Sequence, residues 1–309
     1  IREDWPSVPQ IIWPEMWMLP HHGGYGSDPT LPEPSIKQHI EQLGRNTMTA
    51  AALHNASAWV LPTKHQADSL PREFQSKKLN VIHEGIDTNI AIPNPDVNYV
   101  VRGININRQR PTITFVNRNL ERLRGFDTFM NSLPKLLKEW PELRIIIVGD
   151  SGHGYGNPHP SGRPIREVLV EELSPKMDFD RVHFLGRIPY SQLLAVLQAS
   201  WVHIYLSYPF VLGWSLLEAM SCGCSVVGSR GMPVEEVISD GVNGLLVDMD
   251  DPDQLAAQVS LLLRDESLRD KLGINARTFA LKYDQSNTHP MFLGLIQTLT
   301  NGDQSFLSI

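Results

Sequence analysis

The chain is 309 residues long, which exceeds the usual size of a single hydrophobic core and favours two domains. Its composition, with 41% hydrophobic and 20% charged residues, is that of a globular protein. The formal net charge of −7 provides no basic excess for the phosphates of nucleic acid, so we predict no nucleic-acid partner. Two cysteines, Cys222 and Cys224, are one residue apart, which suits neither a disulfide framework nor a zinc site and indicates a reducing, cytoplasmic location.

Residues 1–104 are predicted to form an N-terminal domain. The pattern indicates a strand in "VPQIIW", a Gly/Pro/His loop, a helix over about 35–54, a strand in "AWVLPT", a helix over "KHQADSLPREF" and a strand in "LNVIHEGID". The sequence lacks an initiator Met and enters a strand almost at once, so we expect this domain to be incomplete in the chain. The Asn- and Arg-rich segment 88–110 has little periodicity, which predicts a linker.

Residues 105–285 have a regular pattern that predicts the second domain. Short apolar strands alternate with helices, which indicates an α/β class with a parallel sheet covered on both faces. The predicted strands are "TITFVN", "LRIIIVGD", "RVHFLG", "WVHIYLS", "CSVVGS" and "NGLLVD". The predicted helices are "FDTFMNSLPKLLKEW", "REVLVEEL", "YSQLLAVLQAS", the segment around Glu218, "PVEEVISD" and the helices from Pro252 onward.

A basic loop follows the first of these strands. Arg118, Arg122 and Arg124 precede a helix that starts after Gly125. In a doubly wound sheet, ligands bind beyond the carboxyl ends of the strands. Cationic side chains beside a helix N-terminus favour a diphosphate, and the alternative is a solvated basic loop. The loops after the other strands contribute further candidates, namely Gly149, Asp150, Gly186, Arg187, Ser207 and Gly213.

Glu218 is a single acid within the apolar run "YPFVLGWSLLEAMSCGC". A buried carboxylate requires a partner, because burying it unpaired is costly. We expect Glu218 at the start of a helix, with water or backbone N–H groups as partners in the absence of a ligand. Two interpretations remain open: the carboxylate binds a ribose diol, or it interacts with the helix N-terminus.

Several segments together resemble glycosyltransferase family 4, the retaining nucleotide-sugar transferases of group 1. They are "VIHEGIDT", "RNLERLRGFDTF", "LRIIIVGD", "VHFLGRIPYSQLLAVLQAS", "SLLEAMSCGCSVVGS" and "GVNGLLVDMDDPDQLAAQVSLLL", in the family's order over about residues 55–283. The resemblance implies a GT-B fold, with two facing Rossmann-like domains and the donor held mainly by the C-terminal one. It also implies that the last helix, in 286–309, packs back on the N-terminal domain.

The resemblance assigns roles to individual residues. Arg118 and Arg124 resemble the basic pair on the donor diphosphate, although Arg124 stands where Lys is usual and one residue further along. Glu218 resembles the second Glu of the E-x7-E motif, which binds the ribose. The rest of the donor base and sugar pocket would comprise Gly149, Asp150, Arg187, Ile188, Ser207, Leu212, Gly213 and Trp214.

One position departs from the family pattern. Phe210 replaces the first Glu of E-x7-E, and the usual Gly-Phe-Gly becomes Val211, Leu212 and Gly213. Phe210 cannot accept a hydrogen bond from a sugar hydroxyl. A deoxy sugar, a hexose supported differently and a loss of activity all remain open.

In the N-terminal domain, Glu15 of "PQIIWPEMW" occupies about the place of a catalytic-cleft His in many members. His21 and His22 are alternative cleft residues, and no metal site is predicted from them. Cys222 and Cys224 are expected to be small core residues.

The resemblance implies a metal-independent retaining glycosyltransferase that requires no cofactor. It would transfer a sugar from a UDP-, GDP- or dTDP-sugar donor to a glycan, lipid-linked or small-molecule acceptor. We expect a cytoplasmic location, compatible with peripheral association at the inner face of the membrane. The alternatives are a catalytically inactive nucleotide-sugar-binding or scaffold protein, and a phosphorylase or epimerase of the same fold.

Overall fold

A computed structural model describes residues 4, 6–18, 33–152, 154 and 159–301 of the chain. The chain divides into two compact units. The first contains Ile1–Gly85, Pro209–Leu212 and Tyr283–Ile309, and the second contains Ile86–Tyr208 and Gly213–Lys282. The first break therefore falls at Gly85, earlier than the boundary after residue 104 that the sequence predicts.

The first unit is built on a three-stranded parallel sheet. Its strands are β1 (Ile11–Ile12), β2 (Ala58–Leu61) and β3 (Leu79–Val81), which pair in that order. Helix α1 (Ile36–Asn55) connects β1 to β2 and begins at a capping box formed by Ser35 and Gln38. The single helix predicted over 64–74 is instead split into α2 (Lys64–Asp68) and a 3₁₀ turn (Arg72–Phe74), because Pro71 lacks the N–H group that would continue a helix.

The last described helix, α10 (Gln285–Asn301), also belongs to the first unit. Its Leu295 is buried against Val60 and Ile82 of the sheet region. The Phe292 ring stacks on Trp13 with a centroid separation of 5.1 Å. One face of the first sheet is therefore covered by a helix from the far end of the sequence.

The segment predicted as a linker is a β-hairpin of the second unit. Strands β4 (Asn98–Val101) and β5 (Ile104–Asn107) are antiparallel and are joined by Arg102 and Gly103, both with positive φ. Two consecutive residues with positive φ form a tight hairpin turn whose twist matches that of the two strands it joins. Val101 and Ile106 are fully buried in the second unit's core. The linker prediction was wrong because each strand contributes few apolar residues to the core and alternates them with polar ones.

A buried arginine attaches this hairpin to the main sheet. Arg144 donates hydrogen bonds to the carbonyls of Asn105 and Asn107 and to the hydroxyl of Thr112. Its side chain is enclosed, and burial lowers the pKa of the guanidinium to about 10. The hairpin is thus an integral part of the second unit.

A six-stranded parallel sheet forms the centre of the second unit, in the order β11-β10-β9-β6-β7-β8. The strands are β6 (Thr112–Asn119), β7 (Arg144–Asp150), β8 (Val182–Gly186), β9 (Val202–Tyr205), β10 (Ser225–Ser229) and β11 (Leu245–Val247). The helices are α3 (Phe126–Glu139), α4 (Ile165–Leu173), α5 (Tyr190–Ala199), α6 (Trp214–Ser221), α7 (Val234–Val237), α8 (Pro252–Arg264) and α9 (Glu266–Ala280). The predicted alternation of strands and helices is confirmed.

The strands are apolar throughout because helices cover both faces of this sheet. In β7, for example, Ile145 and Ile147 belong to one core cluster, whereas Ile146 and Val148 belong to another. Strand order reverses between β6 and β9: the chain adds β7 and β8 on one side of β6 and then returns to add β9 on the other. Such a reversal opens a crevice at the carboxyl edge, where ligands bind in folds of this type.

Acidification is expected to weaken the fold through His203. This residue of β9 is fully buried, with Nδ1 2.9 Å from the Thr114 hydroxyl, and burial lowers its pKa to about 3. The unfolded chain binds a proton near pH 6.5 and the folded chain does not, so stability falls as pH drops from about 6.5 toward 3. The slope for one group approaches about 1.4 kcal/mol per pH unit.

The measurement is the free energy of unfolding at pH 6 and pH 5. In His203→Gln the difference should be smaller than in the wild type by about 1 kcal/mol. Stability should still depend on pH in this variant, because burial also lowers the pKa of His83 to about 4. The exposed His39→Gln variant serves as the control and should retain the full slope. An equal slope in both variants would contradict this account.

Candidate functional site

The basic loop after β6 lies at the crevice formed by the strand reversal. Arg122–Arg124 form a 3₁₀ turn, and Gly125 follows in the left-handed conformation, with φ of 65°, directly before α3. A Cβ atom at Gly125 would lie 2.4 Å from Cβ of Leu206. Glycine therefore lets this loop approach the end of β9.

Arg124 connects the two loops that flank the reversal. Its guanidinium donates a 2.8 Å hydrogen bond to the hydroxyl of Ser207, which follows β9. The Ser207 hydroxyl in turn donates to the Tyr208 carbonyl. The structure thus brings two predicted site residues together, with a cationic group at the point where a parallel sheet binds ligands.

Arg118 lies near the carboxyl end of β6 and is exposed. Within the described ranges it makes no hydrogen bond or ion pair with another residue. Arg118 and Arg124 therefore share one edge of the sheet, where each can present a guanidinium to an anion.

Arg122 has a different environment from its two neighbours. It forms a 2.5 Å ion pair with Asp127 of α3 and lies 3.9 Å from Asp250, which accepts a 2.5 Å hydrogen bond from the Tyr208 hydroxyl. Burial raises the pKa of the Asp127 carboxyl, and Arg122 partly offsets this. Arg122 thereby fixes the loop that carries Arg124.

A second group of predicted residues follows β7 and β8. Asp150 and Arg187 form an ion pair of 3.1 Å. Both side chains are largely exposed, so the pair contributes little to stability. Gly149 allows a close approach of strands, because a Cβ there would lie 2.6 Å from the Asn117 carbonyl. Ile188 packs against a core cluster of the second unit.

Glu218 lies in the second turn of α6, not at its start as predicted. Its side chain is buried, with 7% of the residue exposed. The backbone N–H groups expected as partners lie in the first turn of α6, whereas Glu218 is in the second turn. Burial raises the pKa of the Glu218 carboxyl, and the neighbouring Tyr190 of α5 acts in the opposite direction.

The start of α6 is fixed by a tyrosine from β9. The Gly213 N–H donates a 2.6 Å hydrogen bond to the Tyr205 hydroxyl, and Trp214 is 55% exposed beside it. Leu212 and Phe210 are buried and belong to the first unit.

Comparison with known protein families shows the family to which the chain belongs. Residues 100–279 match the family described as glycosyl transferases group 1, and residues 1–91 match the glycosyl transferase family 4 group. The chain belongs to the group 1 glycosyltransferase family. The predicted family is confirmed.

A curated relative of this glycosyltransferase-family chain is the D-inositol 3-phosphate glycosyltransferase of Corynebacterium urealyticum. It is 27% identical over 269 residues, which cover 84% of this chain and 61% of the relative. The chain therefore spans about three fifths of that relative's length.

Solved structures show the same fold. Sucrose-phosphate synthase from Thermosynechococcus elongatus matches with a TM-score of 0.73 and 21% identity, covering 91% of this chain and 67% of that one. Anabaena HepE in complex with UDP and glucose matches with a TM-score of 0.70 and 18% identity, covering 94% and 72%. The predicted α/β, GT-B fold class is confirmed.

The other residues predicted in this group 1 chain lie in different environments. Glu15 is exposed after β1, has a left-handed backbone with φ of 61°, and its catalytic role stays a prediction. His21 and His22 lie outside the described residues. Cys222 and Cys224 are buried free thiols, as expected for core residues, and burial raises the pKa of both.

Among the described residues, no group of three His, Cys, Asp or Glu side chains is arranged to hold a metal ion. No helix in the described ranges has the length and apolar character needed to span a bilayer.

Proposed function

We propose that the protein is a retaining glycosyltransferase that transfers a sugar from a nucleotide-sugar donor to a glycan, lipid-linked or small-molecule acceptor. The observation that carries the proposal is the meeting of Arg124 and Ser207 at the strand reversal of a group 1 glycosyltransferase domain. We propose a cytoplasmic reaction, with acceptors in solution or at the inner face of the membrane.

In this proposal, Arg118 and Arg124 bind the donor diphosphate. Guanidinium groups form paired, charge-assisted hydrogen bonds with phosphate oxygens. The first turn of α3 adds backbone N–H groups and the positive end of its dipole. Since Anabaena HepE was solved in complex with UDP and glucose, UDP is the first nucleotide to test.

Glu218 is proposed to bind the nucleotide ribose, and Gly149, Asp150, Arg187, Ile188, Ser207, Leu212, Gly213 and Trp214 to complete the base and sugar pocket. A ribose diol can donate two hydrogen bonds, and the buried carboxylate of Glu218 can accept both. Phe210, in place of an acid, offers no hydrogen-bond acceptor to a hydroxyl of the donor sugar. Glu15 is proposed as the catalytic residue on the acceptor side.

The proposal is tested with a panel of UDP-, GDP- and dTDP-sugars. We expect hydrolysis of one donor class without acceptor, without added metal, and with release of the sugar in its original anomeric configuration by NMR. Binding of nucleotide without turnover of any donor, with or without acceptors, would favour the inactive binding protein. Turnover that requires inorganic phosphate would favour the phosphorylase.

Replacing Glu218 with glutamine should weaken nucleotide binding while leaving the melting temperature nearly unchanged. Glutamine keeps the shape and one acceptor oxygen but removes the charge, and charged hydrogen bonds exceed neutral ones by about 1 kcal/mol. The expected loss of nucleotide affinity, measured by calorimetry, is about fivefold. The exposed Glu142→Gln variant should change neither quantity. A large fall in melting temperature with unchanged affinity would show that Glu218 is only structural.

A further inference from the structure

The turn of the β4–β5 hairpin contacts the carboxyl edge of the six-stranded sheet. Arg102 occupies this turn with a φ of 49°, a left-handed conformation that arginine rarely adopts. Its guanidinium Nη2 donates a 3.1 Å hydrogen bond to the backbone carbonyl of Arg187, 85 residues further along the chain. Arg187 is the first residue after β8. A side chain from outside the sheet therefore holds the loop that follows its edge strand.

The same guanidinium lies beside Gly186, the last residue of β8. Gly186 has a left-handed backbone with φ of 61°, and a Cβ atom placed there would lie 3.8 Å from Nη2 of Arg102. The Arg187 side chain, in turn, pairs with Asp150 at the end of β7. The loop 186–188 is thus fixed at two points: its backbone is held by the hairpin, and its arginine side chain by the neighbouring strand.

This loop presents backbone groups that have no partner. Among the described residues, neither the N–H nor the carbonyl of Ile188 makes a hydrogen bond. Ile188 is half-buried. The Arg187 carbonyl also keeps one acceptor position, because a carbonyl oxygen has two lone pairs and Arg102 uses one. A donor and acceptors so close together suit the edge of a nucleobase, which carries both kinds of group.

We propose that Arg102 is a positioning residue for the nucleotide base, because its hydrogen bond holds the loop 186–188 in the conformation that pairs with the base. The inference rests on the proposed function, in which Arg187 and Ile188 form part of the base pocket. The uncommon backbone conformation of Arg102 fits this role, since such conformations cluster at ligand sites. The effect of Arg102 should therefore depend on the base of the ligand, which a structural role or a direct contact with phosphate would not require.

The test is calorimetry with Arg102→Gly. Glycine adopts a positive φ readily, so the variant keeps the hairpin turn and removes only the side chain. UDP or GDP, whichever binds the wild-type protein more tightly, is compared with ribose 5-diphosphate, which lacks the base and is measured by displacement of the nucleotide. We expect the variant to bind the nucleotide about fivefold more weakly, the factor that one net hydrogen bond contributes, and ribose 5-diphosphate with unchanged affinity.

Arg163→Ala is the control for the lost charge. Arg163 is an exposed arginine before α4, and its removal should leave the affinity for both ligands as in the wild type. An equal loss for both ligands, or no loss, in an Arg102→Gly variant that melts like the wild type would overturn the inference.

NMR of the backbone amides gives a second measurement, part of which needs no variant. In the wild-type protein, the Ile188 N–H should exchange with solvent more slowly when the nucleotide is bound, because the base then accepts its hydrogen bond. The protection should be smaller in Arg102→Gly at the same fraction of bound protein. Equal protection in the two proteins, or none in the wild type, would contradict the positioning role.

These outcomes are distinguishable from a failure of the proposed function. If the wild-type protein binds the nucleotide and Arg124→Ala weakens that binding, a null result for Arg102 overturns only the positioning role. If the wild-type protein binds no nucleoside diphosphate, the proposed function and the role of Arg102 both fail.

Discussion

Replacing Gly125 with alanine is expected to lower the free energy of unfolding by about 3 kcal/mol. Two costs add at this position. The backbone has φ of 65°, which an alanine adopts at a cost of about 1 kcal/mol. The new Cβ would also lie 2.4 Å from Cβ and 2.8 Å from Cδ1 of Leu206, so the end of β9 must move. Chemical denaturation of the wild type and the variant measures the sum.

Gly241 provides the matched control, because it separates these two costs. It has a similar φ of 72°, but no atom lies within 4 Å of the position its Cβ would take. Gly241→Ala should therefore show only the backbone cost, about 1 kcal/mol. Equal losses in the two variants would contradict the close approach of the loop to Leu206.

Arg124→Ala should weaken nucleoside diphosphate binding at least tenfold. A charged hydrogen bond contributes about 1.5–3 kcal/mol, and the variant also loses the contact with Ser207 that orients the guanidinium. The effect should decrease at high salt, because the interaction is between charges. Calorimetry with UDP and GDP at two salt concentrations measures both properties.

Arg163→Ala is the control for a general effect of charge. Arg163 is partly exposed and pairs with Glu171 at 2.7 Å, before α4. Its removal changes the net charge as Arg124→Ala does and should leave affinity unchanged. If the two variants bind nucleotide equally well, Arg124 is not a diphosphate ligand.

The central-sheet strands and the helices of the second unit could be predicted because their signals are local. Strands β6 and β7 are continuous apolar runs, and α3 has a long amphipathic pattern, so neighbouring residues alone determine each assignment. The hairpin of β4 and β5 could not be predicted in this way. The hairpin is held by the burial of Val101 and Ile106 and by Arg144, which is distant in sequence, and its local signal was the Arg102-Gly103 turn.

The candidate site shows the same limit. The sequence indicated a buried Glu218 with no cation nearby in the chain, but it did not show that this residue lies in the second turn of α6 rather than at its start. Likewise, three arginines in one loop look equivalent in sequence. Only the positions of Asp127 and Ser207 distinguish Arg122, which fixes the loop, from Arg124, which lies at the crevice.

The placement of α10 has a consequence for the order of folding during synthesis. Leu295 and Phe292 of α10 cover the face of the first sheet that includes Val60 and Ile82, so this part of the hydrophobic core stays uncovered until nearly the whole described chain has been translated. The second unit, Ile86–Tyr208 with Gly213–Lys282, has all of its residues available earlier. Domains usually fold in N-to-C order on the ribosome. Here the unit that starts first is completed last, because its sheet is buried only after the second unit and then α10 have been translated.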